Sequence, residues 1–164
     1  TLVISPRPIG LAANSARKTY GDFDPLLGVS ISSGTLASVD SLSDVTGVLN
    51  HNAGENVGSY AIALGSGIKA SNYAISYVGN TLTIDPRPIT LAATALNKTY
   101  GNADPTLAVT VTSGSLATAV VSDTLADVTG VLTRSSGENV GRYDVALGAG
   151  AKASNYAISY VTNN

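Results

Sequence analysis

His51 is the only histidine in the chain and so the first residue to consider for acid–base chemistry. The sequence has no cysteine and no methionine, which removes thiol nucleophiles, disulfides and thiolate metal sites. When the chain is aligned with itself, Arg134 matches His51, so a histidine-dependent reaction would exist in only one of two similar segments. We therefore predict an exposed polar residue at position 51, no catalytic residues, no cofactor and no enzyme activity.

Carboxylates are the second candidate group, because calcium binds about six to eight oxygen atoms. Asp22, Asp24 and Asp44 lack the spacing of an EF-hand loop and of the calcium-binding nonapeptide repeat. They are predicted to cap turns, and no metal site is predicted. Glu55 and Glu138 lie in identical Gly-Glu-Asn-Val-Gly segments, where each would accept a backbone N–H or pair with a basic side chain.

Recurring lysines and asparagines suggest a third chemistry, a Lys–Asn isopeptide crosslink. Exposed lysines and turn asparagines explain the same residues, and this is the interpretation we favour. The residues concerned are Lys18, Lys69, Lys98, Lys152, Asn56, Asn72, Asn139 and Asn155.

The composition limits the partners of the chain. Only 12% of its 164 residues are charged and the net charge is −2, so the basic surface that a nucleic acid requires is not predicted. No apolar run approaches the length of a membrane-spanning helix. With 44% hydrophobic residues, the chain is predicted to fold.

The strongest feature of the sequence is an internal duplication. An offset of 80 aligns residues 1–36 with 81–116, with 21 of 36 positions identical, and an offset of 83 aligns residues 44–78 with 127–161, with 26 of 35 identical. Both copies must therefore share one fold. The extra three residues of the second copy lie between Ala117 and Asp127 and predict a surface loop or short helix.

Each copy has the pattern of a small β domain. Alternating apolar residues predict strands around residues 9–13, 27–31, 60–64 and 73–77, and Gly79-Asn80 predicts a hairpin that pairs residues 73–78 with 81–84. Serine-capped helices are predicted at residues 41–45 and 122–128. All eight tyrosines fall into matched pairs and are predicted to be core residues. The predicted fold class is mainly β: two tandem small β domains of the same fold, β-sandwich or β-grasp-like, each with at most one short helix.

The repeat also sets the predicted domain boundaries. Residues 1–4 are predicted to be a remnant strand of a preceding module, residues 5–84 the first repeat, and residues 85–164 the second repeat without its final strand. The strand Tyr156 to Val161 would then lack a hairpin partner. Thr1 to Ile4 of another molecule are predicted to pair beside it in a head-to-tail contact. The Pro-Arg-Pro segments would join neighbouring modules into a rod.

These motifs resemble the MBG or YDG-type tandem repeats of large bacterial surface and secreted adhesins, including filamentous haemagglutinin-like exoproteins. The resemblance covers essentially the whole chain. It implies display outside the cell or on the bacterial surface, and no catalysis. It depends on the following segments: KTYGDFDP and KTYGNADP, GENVGSYAI and GENVGRYDV, NYAISYV, and TLTI with PRPIT.

Two functions are open at this point. The first is a structural spacer that projects the binding region of an adhesin and whose partners are the neighbouring repeats of the same chain. The second is a module that binds glycans or proteins through surface loops such as Val120 to Asp123. An exposed tyrosine platform would favour the second function.

Overall fold

The computed structural model describes residues 1–162. It contains two compact units, the first made of Thr1–Lys18 and Asp24–Asp85, the second of Thr19–Phe23 and the chain from Pro86 onward. The predicted end of the second repeat at residue 164 lies outside the described residues. Strands hold 36% of the residues and helices 10%, and the two α-helices are short, which confirms the predicted fold class. Units and sequence repeats do not coincide, because five residues of the first repeat belong to the second unit.

Two sheets and one α-helix form the first unit. One sheet has the strand order β3-β1-β6 and the other β2-β7-β5-β4, and helix α1 lies between β3 and β4 in the sequence. A 3₁₀ turn at Ala70–Asn72 precedes β6. The bounds are β1 Arg7–Ala13, β2 Ala16–Thr19, β3 Val29–Gly34, α1 Leu42–Thr46, β4 Asn50–His51, β5 Gly58–Ala63, β6 Tyr73–Val78 and β7 Thr81–Asp85.

The predicted hairpin between β6 and β7 is wrong. β6 pairs in parallel with β1, from Arg7 opposite Tyr73 to Ala12 opposite Val78, whereas β7 pairs antiparallel with β5 in the other sheet. Gly79-Asn80 therefore carries the chain from one sheet to the other. The two-residue spacer gives the same local signal in both arrangements, and the side chains that must be buried decide between them.

Strand β1 is the centre of the first sheet, although its apolar pattern is the weakest of those that predicted a strand. Leu11 is fully buried, and Ile9 and Leu11 pack with Val45 of α1 and Tyr73 of β6. A second core cluster joins Ala13, Ile62 and Leu82. Tyr77 contacts both clusters, so the ends of β1 and β6 connect the cores of the two sheets.

The second unit repeats the first sheet. Its order is β12-β8-β9, and β8 pairs in parallel with β12 in the register found for β1 and β6. A 3₁₀ turn at Ala153–Asn155 precedes β12. The bounds are β8 Arg87–Ala93, β9 Val109–Gly114, α2 Leu125–Thr129, β10 Thr133–Arg134, β11 Val145–Ala146 and β12 Tyr156–Val161.

The second sheet of this unit is much reduced. Within the described residues it consists of β10 and β11 alone, and residues 96–99, which match β2, form no strand. The predicted vacancy beside Tyr156–Val161 is therefore wrong, because β12 pairs with β8 as β6 pairs with β1. In the first unit, β7 lies between β2 and β5 in the second sheet.

Both α-helices begin with a capping box. In α1 the Ser41 backbone N–H donates to the Asp44 carboxylate and Asp44 N–H donates back to the Ser41 hydroxyl, as predicted for a serine cap. In α2 the cap is Thr124 with Asp127, so the predicted start at Ser122 is wrong. The Asp-Val-Thr-Gly-Val-Leu segments at residues 44–49 and 127–132 begin inside these helices.

Among residues 1–162 there is no helix with the length and apolar character needed to cross a membrane.

We predict that the first unit depends on β7 through Leu82. Leu82 is fully buried, and removing a large aliphatic side chain from a core costs about 2–5 kcal/mol. Leu82→Ala should therefore lower the free energy of unfolding by an amount in that range, measured by urea denaturation. The matched control is Leu2→Ala, because Leu2 has the same place in the repeat but is 86% exposed. Equal losses in the two variants would contradict the assigned role of β7.

Candidate functional site

A cluster of charged side chains connects the two most repeated loops of the first unit. The Lys18 ammonium group lies 2.6 Å from Asp24 and 2.6 Å from Glu55, and its side chain is only 3% exposed. Asp24 also accepts from Nε2 of His51 at 2.9 Å. The Lys-Thr-Tyr-Gly and Gly-Glu-Asn-Val-Gly motifs therefore recur together because they supply opposite charges to one ion cluster.

His51 occupies a position that requires a cation. Its Nδ1 lies 2.6 Å from the carbonyl oxygen of Asn52 and its Nε2 faces Asp24, so both ring nitrogens meet acceptors and both must donate. The hydrogen bond to Asp24 raises the pKa of His51, against a lowering by burial. The prediction of an exposed polar residue is wrong, since the side chain is 11% exposed and ion-paired.

The second unit contains the matching cluster with an arginine in place of the histidine. Lys98 contacts Asp104 and Glu138 at 2.6 Å each, and Arg134 Nε donates to Asp104 at 2.7 Å. Arg134 also pairs with Glu138 and stacks 5.0 Å from the ring centre of Tyr143. Arg134 and Lys98 lower the pKa of Asp104 to about 2. His51 and Arg134 therefore occupy matched positions and each donates to the matched aspartate of its own unit.

Tyrosine hydroxyls fix the Gly-Glu-Asn-Val-Gly loops. Tyr60 donates to the carbonyl oxygen of Asn56 at 2.8 Å, and Tyr143 donates to that of Asn139 at 2.7 Å. A Cβ on Gly54 would overlap the Tyr60 ring, and the φ of this glycine is +147°, so a side chain is excluded on both counts.

The four lysines that suggested crosslinks all contact carboxylates. Lys69 lies 2.7 Å from Asp40 and Lys152 lies 2.6 Å from Asp123, which gives each lysine a charged partner. The prediction of exposed lysines is wrong for Lys18, which is buried. Asp44 and Asp24 are both predicted to cap turns, but Asp44 belongs to the capping box of α1 and Asp24 is an ion-pair residue.

The predicted contact loop at residues 120–123 is partly misassigned. Val120 and Ser122 are exposed, but Asp123 is buried, and its carboxylate accepts from Tyr156 at 2.7 Å and from Lys152. The matching contacts of Asp40 with Tyr73 and Lys69 show that Asp40 and Asp123 are equivalent. The inserted residues therefore lie between Ala117 and Asp123.

The second unit contains a site that binds the Tyr20 side chain, and the sequence did not predict it. Tyr20 is 2% exposed, and its ring meets the Tyr156 ring edge to face at 5.5 Å between centres. The Tyr20 hydroxyl hydrogen-bonds to Asp123 and Asn155, and Arg87 Nε donates to the Tyr20 carbonyl oxygen at 2.7 Å. Arg87 also pairs with Asp22.

This site explains the glycine that follows the tyrosine. Gly21 has a φ of +79°, and a Cβ on it would overlap Ala117. Asp22, predicted to cap a turn, instead carries the charge that faces Arg87. Burial raises the pKa of Tyr156, so the buried hydroxyls of this site stay neutral at ordinary pH.

The first unit contains counterparts of the residues that bind Tyr20, namely Asp40, Asn72 and Tyr73. Tyr73 donates to Asp40 at 2.7 Å and accepts from the N–H of Ala37 at 2.9 Å, as Tyr156 does with Asp123 and Ala117. Asn72 is exposed, whereas its counterpart Asn155 is 4% exposed. Tyr73 and the Asp40 side chain are each 7% exposed, so this site is enclosed apart from Asn72.

Tyr100, the counterpart of Tyr20, is 70% exposed. The prediction that all eight tyrosines are core residues is therefore wrong for Tyr100, while Tyr20, Tyr73 and Tyr156 are buried. A Cβ on Gly101 would meet no atom within 4 Å. The tip of the second Lys-Thr-Tyr-Gly loop thus has the same sequence as the first but lacks its packing.

A groove of about 410 Å³ lies beside this loop in the second unit. Its lining includes Leu96, Leu107, Tyr143 and Val145 together with the charged residues Lys98, Asp104 and Arg134. These residues match those that cover Leu82 in the first unit, so the groove is the space that β7 occupies there.

The described residues include no group of three or more His, Asp and Glu side chains placed to share a metal ion. The carboxylates of both clusters are already paired with cations. What the arrangement can do is hold loops together and receive a strand and a tyrosine side chain.

We predict that His51 makes the first unit sensitive to pH. Its raised pKa means that the ion pair stabilises fully below pH about 6.5 and that this contribution is lost as the pH rises through the raised value. Because a partly exposed pair contributes roughly 0.2–1 kcal/mol, Tm should fall by about 1–5 °C between pH 5.5 and pH 8.5. His51→Arg copies the second unit and should remove this fall. Parallel decreases in both proteins would show that His51 is not the titrating group.

We predict that Tyr20 and Tyr100 differ strongly in their effect on stability. Tyr20→Ala empties a buried site and should cost about 3–5 kcal/mol, by analogy with other buried aromatic residues. Tyr100→Ala should change the free energy of unfolding by less than about 0.5 kcal/mol at low protein concentration, because the side chain is exposed. Chemical denaturation of dilute samples measures both. A large loss for Tyr100→Ala would mean that Tyr100 packs within its own unit.

The comparison with known families agrees with the repeat. The family model of the MBG domain (YGX type) matches residues 9–83 and again residues 89–164. Comparison with curated proteins and with solved structures finds no match. The two matches cover most of the chain and fall on the two sequence repeats, so the chain consists of two tandem members of the MBG domain family, YGX type.

Proposed function

We propose that the chain is a structural spacer of a bacterial adhesin, located outside the cell or on the bacterial surface, where tandem repeats project a binding region. The observation that supports this most is that the repeated polar residues of both units are used in contacts within the fold. Lys18, Asp24, Glu55 and His51 form one ion cluster, and their counterparts form the other. Repeats whose polar residues stabilise the fold suit a structural role.

The proposal includes the absence of enzyme activity. The single histidine is held between Asp24 and the Asn52 carbonyl oxygen, and while it is protonated both of its nitrogens donate, so it has no free lone pair to act as a base. A stalk also suits the composition, because a chain without cysteine is indifferent to the redox state outside a cell.

Tyr100 supports a second candidate, a module that binds glycans or proteins. Its ring is 70% exposed and lies at the edge of the groove, and exposed aromatic rings are common platforms for ligands. The matched Tyr20 is covered by protein, however, so the same loop is already known to place its tyrosine against a polypeptide. For this reason we rank the spacer first.

We predict that reach increases with the number of repeats. A small domain of known ligand should be displayed on bacteria above one, two and four copies of this chain, with flexible Gly/Ser linkers of equal length as controls. Capture by ligand on large beads should rise with copy number and exceed that of the flexible linkers, since folded units resist collapse onto the surface.

The same cells distinguish the two functions. Cells that display the repeats without the reporter domain should not adhere to matrix proteins or to a glycan array. Adhesion that is lost in Tyr100→Ala would overturn the spacer in favour of the binding module. Capture independent of copy number would contradict the spacer directly.

A further inference from the structure

Five residues of the first repeat, Thr19–Phe23, belong to the second unit, whereas the residues on either side of them, Lys18 and Asp24, belong to the first. The burial of these five residues is uneven, because Tyr20 is 2% exposed and Phe23 is 74% exposed. The segment therefore contributes one inserted side chain to the second unit rather than a strand. Binding energy that is concentrated in one buried aromatic anchor is characteristic of interfaces between separate polypeptides.

The loop that carries Tyr20 has a conformation that does not depend on its burial. The N–H of Asp22 donates to the carbonyl oxygen of Thr19 at 3.0 Å, and Gly21 has a φ of +79°. The matching loop of the second repeat has the same hydrogen bond at 3.1 Å and a glycine φ of +87°, although its Tyr100 is 70% exposed. The segment is therefore preorganised, which lowers the entropic cost of binding.

The residues that face Tyr20 are also held in place without it. Tyr156 donates to Asp123 at 2.7 Å and accepts from the N–H of Ala117 at 2.9 Å, and Lys152 lies 2.6 Å from the same carboxylate. The first unit has these three contacts at the matching positions, with distances of 2.7, 2.9 and 2.7 Å. Within residues 1–162 no second tyrosine ring packs on the counterpart of Tyr156. The polar frame of the site is therefore a property of one unit, to which Tyr20 is added.

The site makes contacts that require both the ring and the hydroxyl of a tyrosine. The rings of Tyr20 and Tyr156 meet edge to face with 5.5 Å between their centres, and the Tyr20 hydroxyl hydrogen-bonds with Asp123 and Asn155. Asn155 is 4% exposed and the Asp123 side chain is fully buried. Phenylalanine would therefore leave each of these polar side chains with one partner fewer where water does not reach.

The two residues after the tyrosine are recognised as well. A Cβ on Gly21 would overlap Ala117, and its φ is one that other residues rarely adopt. Asp22 pairs with Arg87, which also donates from Nε to the Tyr20 carbonyl oxygen at 2.7 Å. The site thus distinguishes three consecutive residues, by an aromatic hydroxyl, by the absence of a side chain and by a negative charge.

We propose that the second unit has a peptide-binding site for a Tyr-Gly-Asp segment, and that Thr19–Phe23 is the ligand that occupies it in this chain. The site consists of Arg87, Ala117, Asp123, Asn155 and Tyr156. This goes beyond the spacer role, which requires only that each unit folds. The site makes the second unit selective for the loop that it accepts, because a loop without the tyrosine, the glycine or the aspartate loses one of the three sets of contacts.

An NMR titration of the whole chain tests the site. Tyr20→Gly with Asp22→Gly removes the two side chains that bind, and the peptide KTYGDFDP, the sequence of residues 18–25, is then added. The peptide should bind with a Kd on the order of 0.1–1 mM and move the amide signals of Ala117 and Asn155 toward their positions in the wild-type chain. If the second unit is unfolded in this variant, the peptide should restore those signals by stabilising the folded state.

Single changes in the peptide test each set of contacts. Tyr20→Phe should weaken binding by about tenfold, and Gly21→Ala by roughly tenfold or more. Asp22→Asn should weaken binding by about two- to fivefold at low salt and by less at high salt, because the pair with Arg87 is partly exposed. Phe23→Ala is the matched control peptide, since Phe23 is 74% exposed, and it should bind like the unaltered peptide.

Tyr100→Gly with Asn102→Gly is the matched control protein, because it keeps Thr19–Phe23 in the site. Its Ala117 and Asn155 signals should not move when the peptide is added. The proposal is overturned if the chain without Tyr20 and Asp22 shows no recovery of these signals with peptide up to about 5 mM. It is also overturned if the Tyr20→Phe and Gly21→Ala peptides bind as well as the unaltered one. None of these outcomes bears on the reach experiment, so the spacer can stand when the peptide site fails.

Discussion

The fold of the first unit depends most on the burial of one short strand, β7. β7 supplies Leu82 and Ile84 to the core of the first unit, and it separates β2 from β5. Where no such strand is present among the described residues, the same sequence elements shorten: the counterpart of β2 is not a strand, and the counterpart of β5 is reduced to Val145–Ala146. The ordering of backbone is costly, and it is retained only where apolar burial compensates for it.

The charged clusters show how two loops can be held without a hydrophobic contact. The Lys18 side chain is buried and contacts two partly exposed carboxylates, and burial of a cation is tolerated only because both partners lie within hydrogen-bond distance. The more exposed cluster of the second unit uses the same residues with arginine at position 134, which reaches Asp104, Glu138 and two backbone carbonyl oxygens. The wider reach of guanidinium suits a site that is less enclosed.

The sequence predicts the duplication, the β class and the first helix because these depend on local pattern and self-comparison. It does not predict strand pairing: the Gly79-Asn80 spacer indicates a hairpin, yet β6 finds its partner in β1, more than sixty residues away. The charged clusters were visible as recurring residues, but their partners lie in loops far apart in sequence. The Tyr20 site could not be found by matching the repeats, because Tyr20 and Tyr100 are identical in sequence and differ only in what covers them.

The parallel pairing of β1 with β6 has a consequence for how such a chain is made. The first strand of a unit is complete only when the last residues of the repeat are available, since Ala12 pairs with Val78. Contacts so distant in sequence delay folding, and a polypeptide that emerges from one end keeps each unit open until nearly the whole repeat has appeared. Tyr20 is buried later still, because its partner Tyr156 belongs to the following repeat. During synthesis of several repeats, each unit would therefore complete its fold only after the next repeat has emerged, and the most recently made repeat would be the least folded.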